Sequence, residues 1–92
     1  MLKRISPGEA ISDDGFGIKL GHRHIIYYED NKTMGIGAEP DKDLSCTIVF
    51  TNSIKKWNPP FDSEVVTPKK KLEITKRVAG ALTFLGIKHR MY

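Results

Sequence analysis

Apolar and polar residues alternate through much of the first half of the chain. Phe16, Ile18 and Leu20 are separated by Gly17 and Lys19, a period of two that buries one face of a strand. Met34, Ile36 and Ala38 alternate in the same way with Thr33, Gly35 and Gly37. Two glycines in such a run weaken a strand and mark a bulge or a close backbone approach. Shorter β-prone runs cover Leu2 to Ile5, Ala10 to Ser12 and His24 to Glu29. Turn-forming residues punctuate them: Pro7-Gly8, Asp13-Asp14-Gly15, Gly21, Asp30-Asn31 and Pro40-Asp41. Glu29-Asp30-Asn31-Lys32 separates Ile25-Ile26-Tyr27-Tyr28 from Thr33-Met34-Gly35-Ile36. Asp and Asn tolerate left-handed φ, so the spacing predicts a tight hairpin of strands 24–29 and 33–38. Tyr27 and Tyr28 then face opposite sides, one to the core and one to solvent.

Further along, Asp41-Lys42-Asp43 reads as a polar loop and the run from Cys46 to Thr51 as a central strand. Asn52-Ser53 turns the chain. Trp57-Asn58-Pro59-Pro60 lies outside regular structure, because prolines lack an N–H and fix φ. The periodicity then changes. Thr67 suits an N-cap and Pro68 the first helical position. Ile74, Val78, Ala81, Leu82 and Leu85 form one stripe at the helical period, and Gly86 follows as the stop. A helix of about 68–85 is predicted, with a final strand over 87–92. Strands first and a helix late give an α+β fold: a mostly antiparallel sheet of about six to seven short strands, with the helix packed on it. The 92 residues suit a single domain, 1–92.

Composition narrows the class. Hydrophobic residues make up 39% and charged residues 28%, as expected of a globular chain. The apolar runs fall well short of the ~18 residues that span a bilayer. The start Met1-Leu2-Lys3-Arg4 carries no apolar signal region. The single cysteine, Cys46, makes no internal disulfide, which favours a reducing cytosol. The net charge of +4 is unevenly spread. Residues 1–46 hold six bases and eight acids, whereas residues 47–92 hold nine bases and three acids.

Few residues suggest catalysis. His22, His24, Cys46 and His89 could be drawn as a metal site, and the three histidines as a nuclease or hydrolase site, but they lack the close ligand pairs of structural zinc and no motif sets a nucleophile beside a base. The expectation is no enzyme, no metal and no cofactor. Lys55, Lys56, Lys69, Lys70, Lys71, Lys76 and Arg77 offer phosphate contacts for a nucleic-acid-binding module. Three of these lysines oppose the dipole of the helix start. Trp57 reads as a loop anchor, with Phe61 beside it. Glu29-Asp30 and Glu39, Asp41 and Asp43 form two acidic clusters, about 18 Å apart for a five-residue strand, which would suit a basic partner.

The strand Ile25-Ile26-Tyr27-Tyr28-Glu29, the Gly37-Ala38-Glu39 step, the corner Ser53-Ile54-Lys55-Lys56-Trp57-Asn58-Pro59-Pro60 and the helix from Thr67 to Gly86 together resemble small immunity proteins. Those proteins belong to bacterial polymorphic-toxin and contact-dependent growth inhibition systems. The resemblance covers roughly residues 5–90. It implies a cytoplasmic protein without catalysis that binds the C-terminal domain of a cognate toxin, often a nuclease, by stoichiometric occlusion; a monomer or weak dimer is expected. On this reading Tyr28, Glu29, Asp30, Glu39, Asp41 and Asp43 are the partner contacts. The nucleic-acid module built on the basic C-terminal half stands second.

Overall fold

A computed structural model describes residues 1–41 and 45–92. Among the described residues are seven strands: β1 (Leu2–Ser6), β2 (Glu9–Ser12), β3 (Phe16–Gly21), β4 (His24–Glu29), β5 (Lys32–Asp41), β6 (Cys46–Val49) and β7 (His89–Met91). A 3-10 turn (Thr51–Ser53) and one helix, α1 (Pro68–Phe84), lie between β6 and β7. The sheet order is the sequence order, β1 to β7. Neighbours run antiparallel except β6 and β7, which pair in parallel through the crossover that contains α1. The α+β expectation is met.

The predicted hairpin forms, but its second strand is longer than expected. Glu29 pairs with Lys32 and Asp30-Asn31 form the two-residue turn, with Asp30 at φ +53°. The strand expected over 33–38 is a ten-residue β5 that starts at Lys32 and runs to Asp41, and Lys42 and Asp43 of the expected polar loop lie outside the described residues. Pairing with β4 covers Lys32–Gly37, and pairing with β6 covers Ala38–Asp41. Pro40 is tolerated because it lies past the end of β4, where β5 has a neighbour on one side only. Since β4 and β6 hold different halves of β5, the sheet curls around one face.

That face is apolar. Ala10, Ile18, Ile25, Tyr27, Met34, Ile36 and Val49 from the strands are fully buried, and Ile74, Val78, Ala81 and Leu82 of α1 close over them. Trp57 is 3% exposed and sits against Tyr27, with ring centroids 6.2 Å apart, while Phe61 is half-buried beside the core. The loop-anchor reading of Trp57 therefore holds. Lys32 lies over both rings, 5.5 Å from Trp57 and 5.7 Å from Phe61, and pairs with Glu64 at 2.8 Å. The Pro59-Pro60 bond is cis.

The helix ends follow local chemistry. Thr67 Oγ1 accepts from the Lys70 N–H at 3.1 Å, with Pro68 opening the first turn. At the other end Gly86 has φ +75°. The N–H groups of Gly86 and Ile87 donate to the carbonyls of Thr83 and Leu82, the paired bonds of a Schellman stop.

Candidate functional site

Alternation along β4 separates its two tyrosines, and each organises a different surface. Tyr27 points into the core beneath α1. Its hydroxyl donates to Glu29 Oε1 at 2.7 Å and accepts from Arg77 Nη1 at 2.9 Å. Lys70 Nζ donates to Glu29 Oε2 at 2.8 Å. Glu73 joins from α1, 3.0 Å from Arg77 Nη2 and 3.4 Å from Lys70 Nζ. The Arg77 guanidinium also lies over the Phe16 ring at 4.6 Å. Glu29, Lys70 and Arg77 thus clamp the helix to the end of β4.

The charges respond to this arrangement. Burial pushes the Tyr27 hydroxyl up, and the bond to Glu29 adds to it. Burial opposes ionisation of Glu29, but the hydrogen bonds from Lys70 and Tyr27 outweigh it and hold the carboxyl below its ordinary value of 4.5. Lys70 is raised for the reciprocal reason: burial lowers it, and the Glu29 contact more than compensates. The Glu29 side chain is 12% exposed, so its carboxylate is engaged within the fold and not presented at the surface.

Tyr28 faces the other way. Its ring lies across Gly17, where a Cβ would overlap it, and its hydroxyl donates to Glu9 Oε2 at 3.2 Å. It therefore spans β3 to reach β2. Beside it a depression of about 260 Å³ is lined by Ile11, Ser12, Gly15, Phe16, Tyr28 and Asp30. Asp30, exposed at the hairpin tip, meets Tyr28 here. Ile11 and Ser12 also line a larger depression of about 460 Å³ with Met1, Leu2, Lys3 and Asp13. The two form one surface over the outer face of β1 and β2. Ile5 and Ile11 are exposed on this hairpin, at 53% and 39%. Sequence reading missed Ile11 as a surface residue. The signal was present, since buried Ala10 and Ser12 flank it and period two turns it outward.

The second acidic cluster lies elsewhere. Glu39 is exposed and pairs with Ile48, and half-buried Asp41 pairs with Cys46, both within β5. Nine strand steps from Lys32 put this end about 30 Å along the strand from the hairpin tip, not the shorter span a five-residue strand implied. Asp43 lies outside the described residues.

The basic set divides as well. Lys70 and Arg77 are held in ion pairs, as above. Lys69 and Lys76 are exposed on α1 and Lys71 is half-buried. Lys55 and Lys56 are exposed, and a bridge between Lys56 and Val65 brings them to the segment leading into the helix. The histidines do not converge: His24 Nδ1 contacts the His22 carbonyl at 2.7 Å, and His89 Nδ1 contacts that of Ile87 at 3.0 Å. Among the described residues no group of three potential ligands could hold a metal ion, and Cys46 is buried. Among the described residues no helix is long and apolar enough to cross a membrane.

No curated protein and no solved structure matches the chain. A family model does match, over residues 17–90, which takes in β3 to β7, the Trp57 corner and α1. That stretch is most of the chain, and it shows that the protein belongs to the Immunity protein 74 family.

Proposed function

We propose that the protein protects its bacterial host by binding the C-terminal domain of a cognate toxin one-to-one and covering the surface that the toxin needs. The observation that carries this reading is the family match across residues 17–90, which implies a toxin-neutralising role. The toxin's chemistry, nuclease or otherwise, does not alter the mechanism. A rigid complementary surface of about 800 Å² is sufficient, with no catalytic step on this chain. We assign the contact surface to the outer side of the sheet around Tyr28 and Asp30, with Ile11 of the β1–β2 hairpin beside them. Large half-buried tyrosines framed by polar residues are common anchors of such interfaces. Glu39 and Asp41 supply a separate acidic contact at the far end of β5. Glu29 acts indirectly, by holding β4 against the helix.

The test is co-expression of the tagged protein with the C-terminal domain of the secreted protein encoded beside it. A one-to-one complex that survives about 0.5 M salt, where charge attraction alone is screened, together with restored growth, is the expected result. Recovery of the tagged protein with salt-sensitive nucleic acid, and without that domain, would overturn the reading.

A further inference from the structure

We infer that the free edge of β1 takes up an extended segment of the toxin as an added antiparallel strand. This rests on the immunity reading above and goes beyond it by naming how the partner is held.

The first observation is the edge itself. β1 begins the sheet order, and among the described residues no strand lies on its outer side. Asp13 N–H donates to the Met1 carbonyl at 3.3 Å. Antiparallel pairs alternate, so Lys3 turns its backbone groups to β2 while Leu2 and Arg4 turn theirs outward. Those outward groups are the template that a new strand uses.

A depression on each face of the same strand is the second observation. Side chains of an added strand alternate between the two faces, so specificity in strand addition needs a receptor on each. On the outer face the hollow of about 460 Å³ lies between Lys3 and Ile11. On the helix face a hollow of about 400 Å³ lies between Leu2, Phe16 and Gly80 of α1, where nothing stands within 4 Å of a Cβ on Gly80. Met1, Leu2 and Ser12 line both. Both floors are mainly apolar.

Charge selects the third feature. Lys3 and Lys76 stand at the rims, one on each face, and Arg4 reaches the Leu85 carbonyl at 3.2 Å with no carboxylate partner among the described residues. Of the acids that line the two hollows, Asp13 is engaged by the N-terminal ammonium and Asp14 lies on the helix face, where Lys76 and Arg77 also stand. The segment that fits carries apolar side chains at successive positions, one for each face, with carboxylates flanking them. β1 and β2 precede the stretch that matches the family model, so the edge itself lies outside the matched part of the fold, whereas Lys76 and Gly80 of the helix-face hollow lie within it.

Arg4→Pro removes an outward N–H, and Arg4→Ala removes the same guanidinium bond but keeps that N–H. With the neighbouring toxin domain as probe, Arg4→Pro is expected to weaken binding at least about 30-fold beyond Arg4→Ala. Amide exchange on the wild-type complex provides a readout without any variant: the Arg4 amide is expected to slow at least about tenfold on binding. A complex that forms with neither effect overturns the strand-addition proposal and leaves the immunity reading intact. No complex at all overturns both. A dimer of the free protein that Arg4→Pro dissociates would assign the edge to a second copy and overturn the proposal.

Discussion

Glu29 shows how one carboxylate is diverted from surface chemistry to internal order. It receives the Tyr27 hydroxyl and the Lys70 ammonium, and Arg77 stands 3.5 Å away. Replacing it with Gln keeps the shape and removes the charge. Glu29→Gln is expected to cost about 1–3 kcal/mol, seen as a drop in melting temperature of roughly 5–15 °C. Because the folded carboxyl is held below its ordinary 4.5, its stabilisation is complete above that value and is lost as pH falls through the folded value. Tyr27 and Lys70 are raised from 10.0 and 10.5. Their stabilisation is present below those values and is lost as pH rises beyond them. Melting temperature should therefore hold between about pH 5 and 9.5 and decline on either side. Glu29→Gln should flatten the acid limb, and an unchanged acid limb would refute this assignment. A different residue carries strain: Arg23 turns the β3–β4 hairpin at φ +60°. Left-handed φ costs a side-chain-bearing residue about 1–2 kcal/mol, partly offset in glycine by its unfolded-state freedom. Arg23→Gly is thus expected to raise the melting temperature by a few degrees.

At the level of elements, the most legible features were those with local causes. Thr67-Pro68 and Gly86 mark the helix ends through bonds within their own turn. The Tyr27-Tyr28 pair divides between faces because strand geometry leaves no other option. The features that escaped sequence reading depend on distant partners. Gly17 looks like a weak point in β3 until Tyr28 is seen lying over it from β4. Pro40 suggests the end of β5, yet the strand continues because β4 has already stopped. The parallel β6–β7 pairing depends on where α1 delivers the chain. The acid at position 29 looked like a surface contact because Lys70, 41 residues on, could not be placed beside it. Gly17→Ala tests the first of these. The added methyl must displace the Tyr28 ring and break its bond to Glu9, costing about 1–3 kcal/mol. In a Tyr28→Ala background the same substitution should cost much less, as a double-mutant cycle on melting or denaturant curves would show.

For the whole molecule, one core joins β2 near the start to Leu85 near the end of the helix. Unfolding should accordingly be a single transition. Trp57 emission, which reports the loop corner, and far-UV circular dichroism, which reports sheet and helix, should give superimposable denaturant curves. Separate midpoints would mean that the corner or the first hairpin unfolds on its own. The order of the sheet has another consequence. Five of its six pairings link strands that follow one another in the chain, and only β6–β7 waits for the helix between them. Contacts between near neighbours in sequence close small loops, and chains rich in them fold quickly. Most of the sheet pairs locally, and the fold closes once α1 covers its apolar face. For an antidote, the interval between translation and protection is then short, and a cell relying on it has little time in which the toxin stands unopposed.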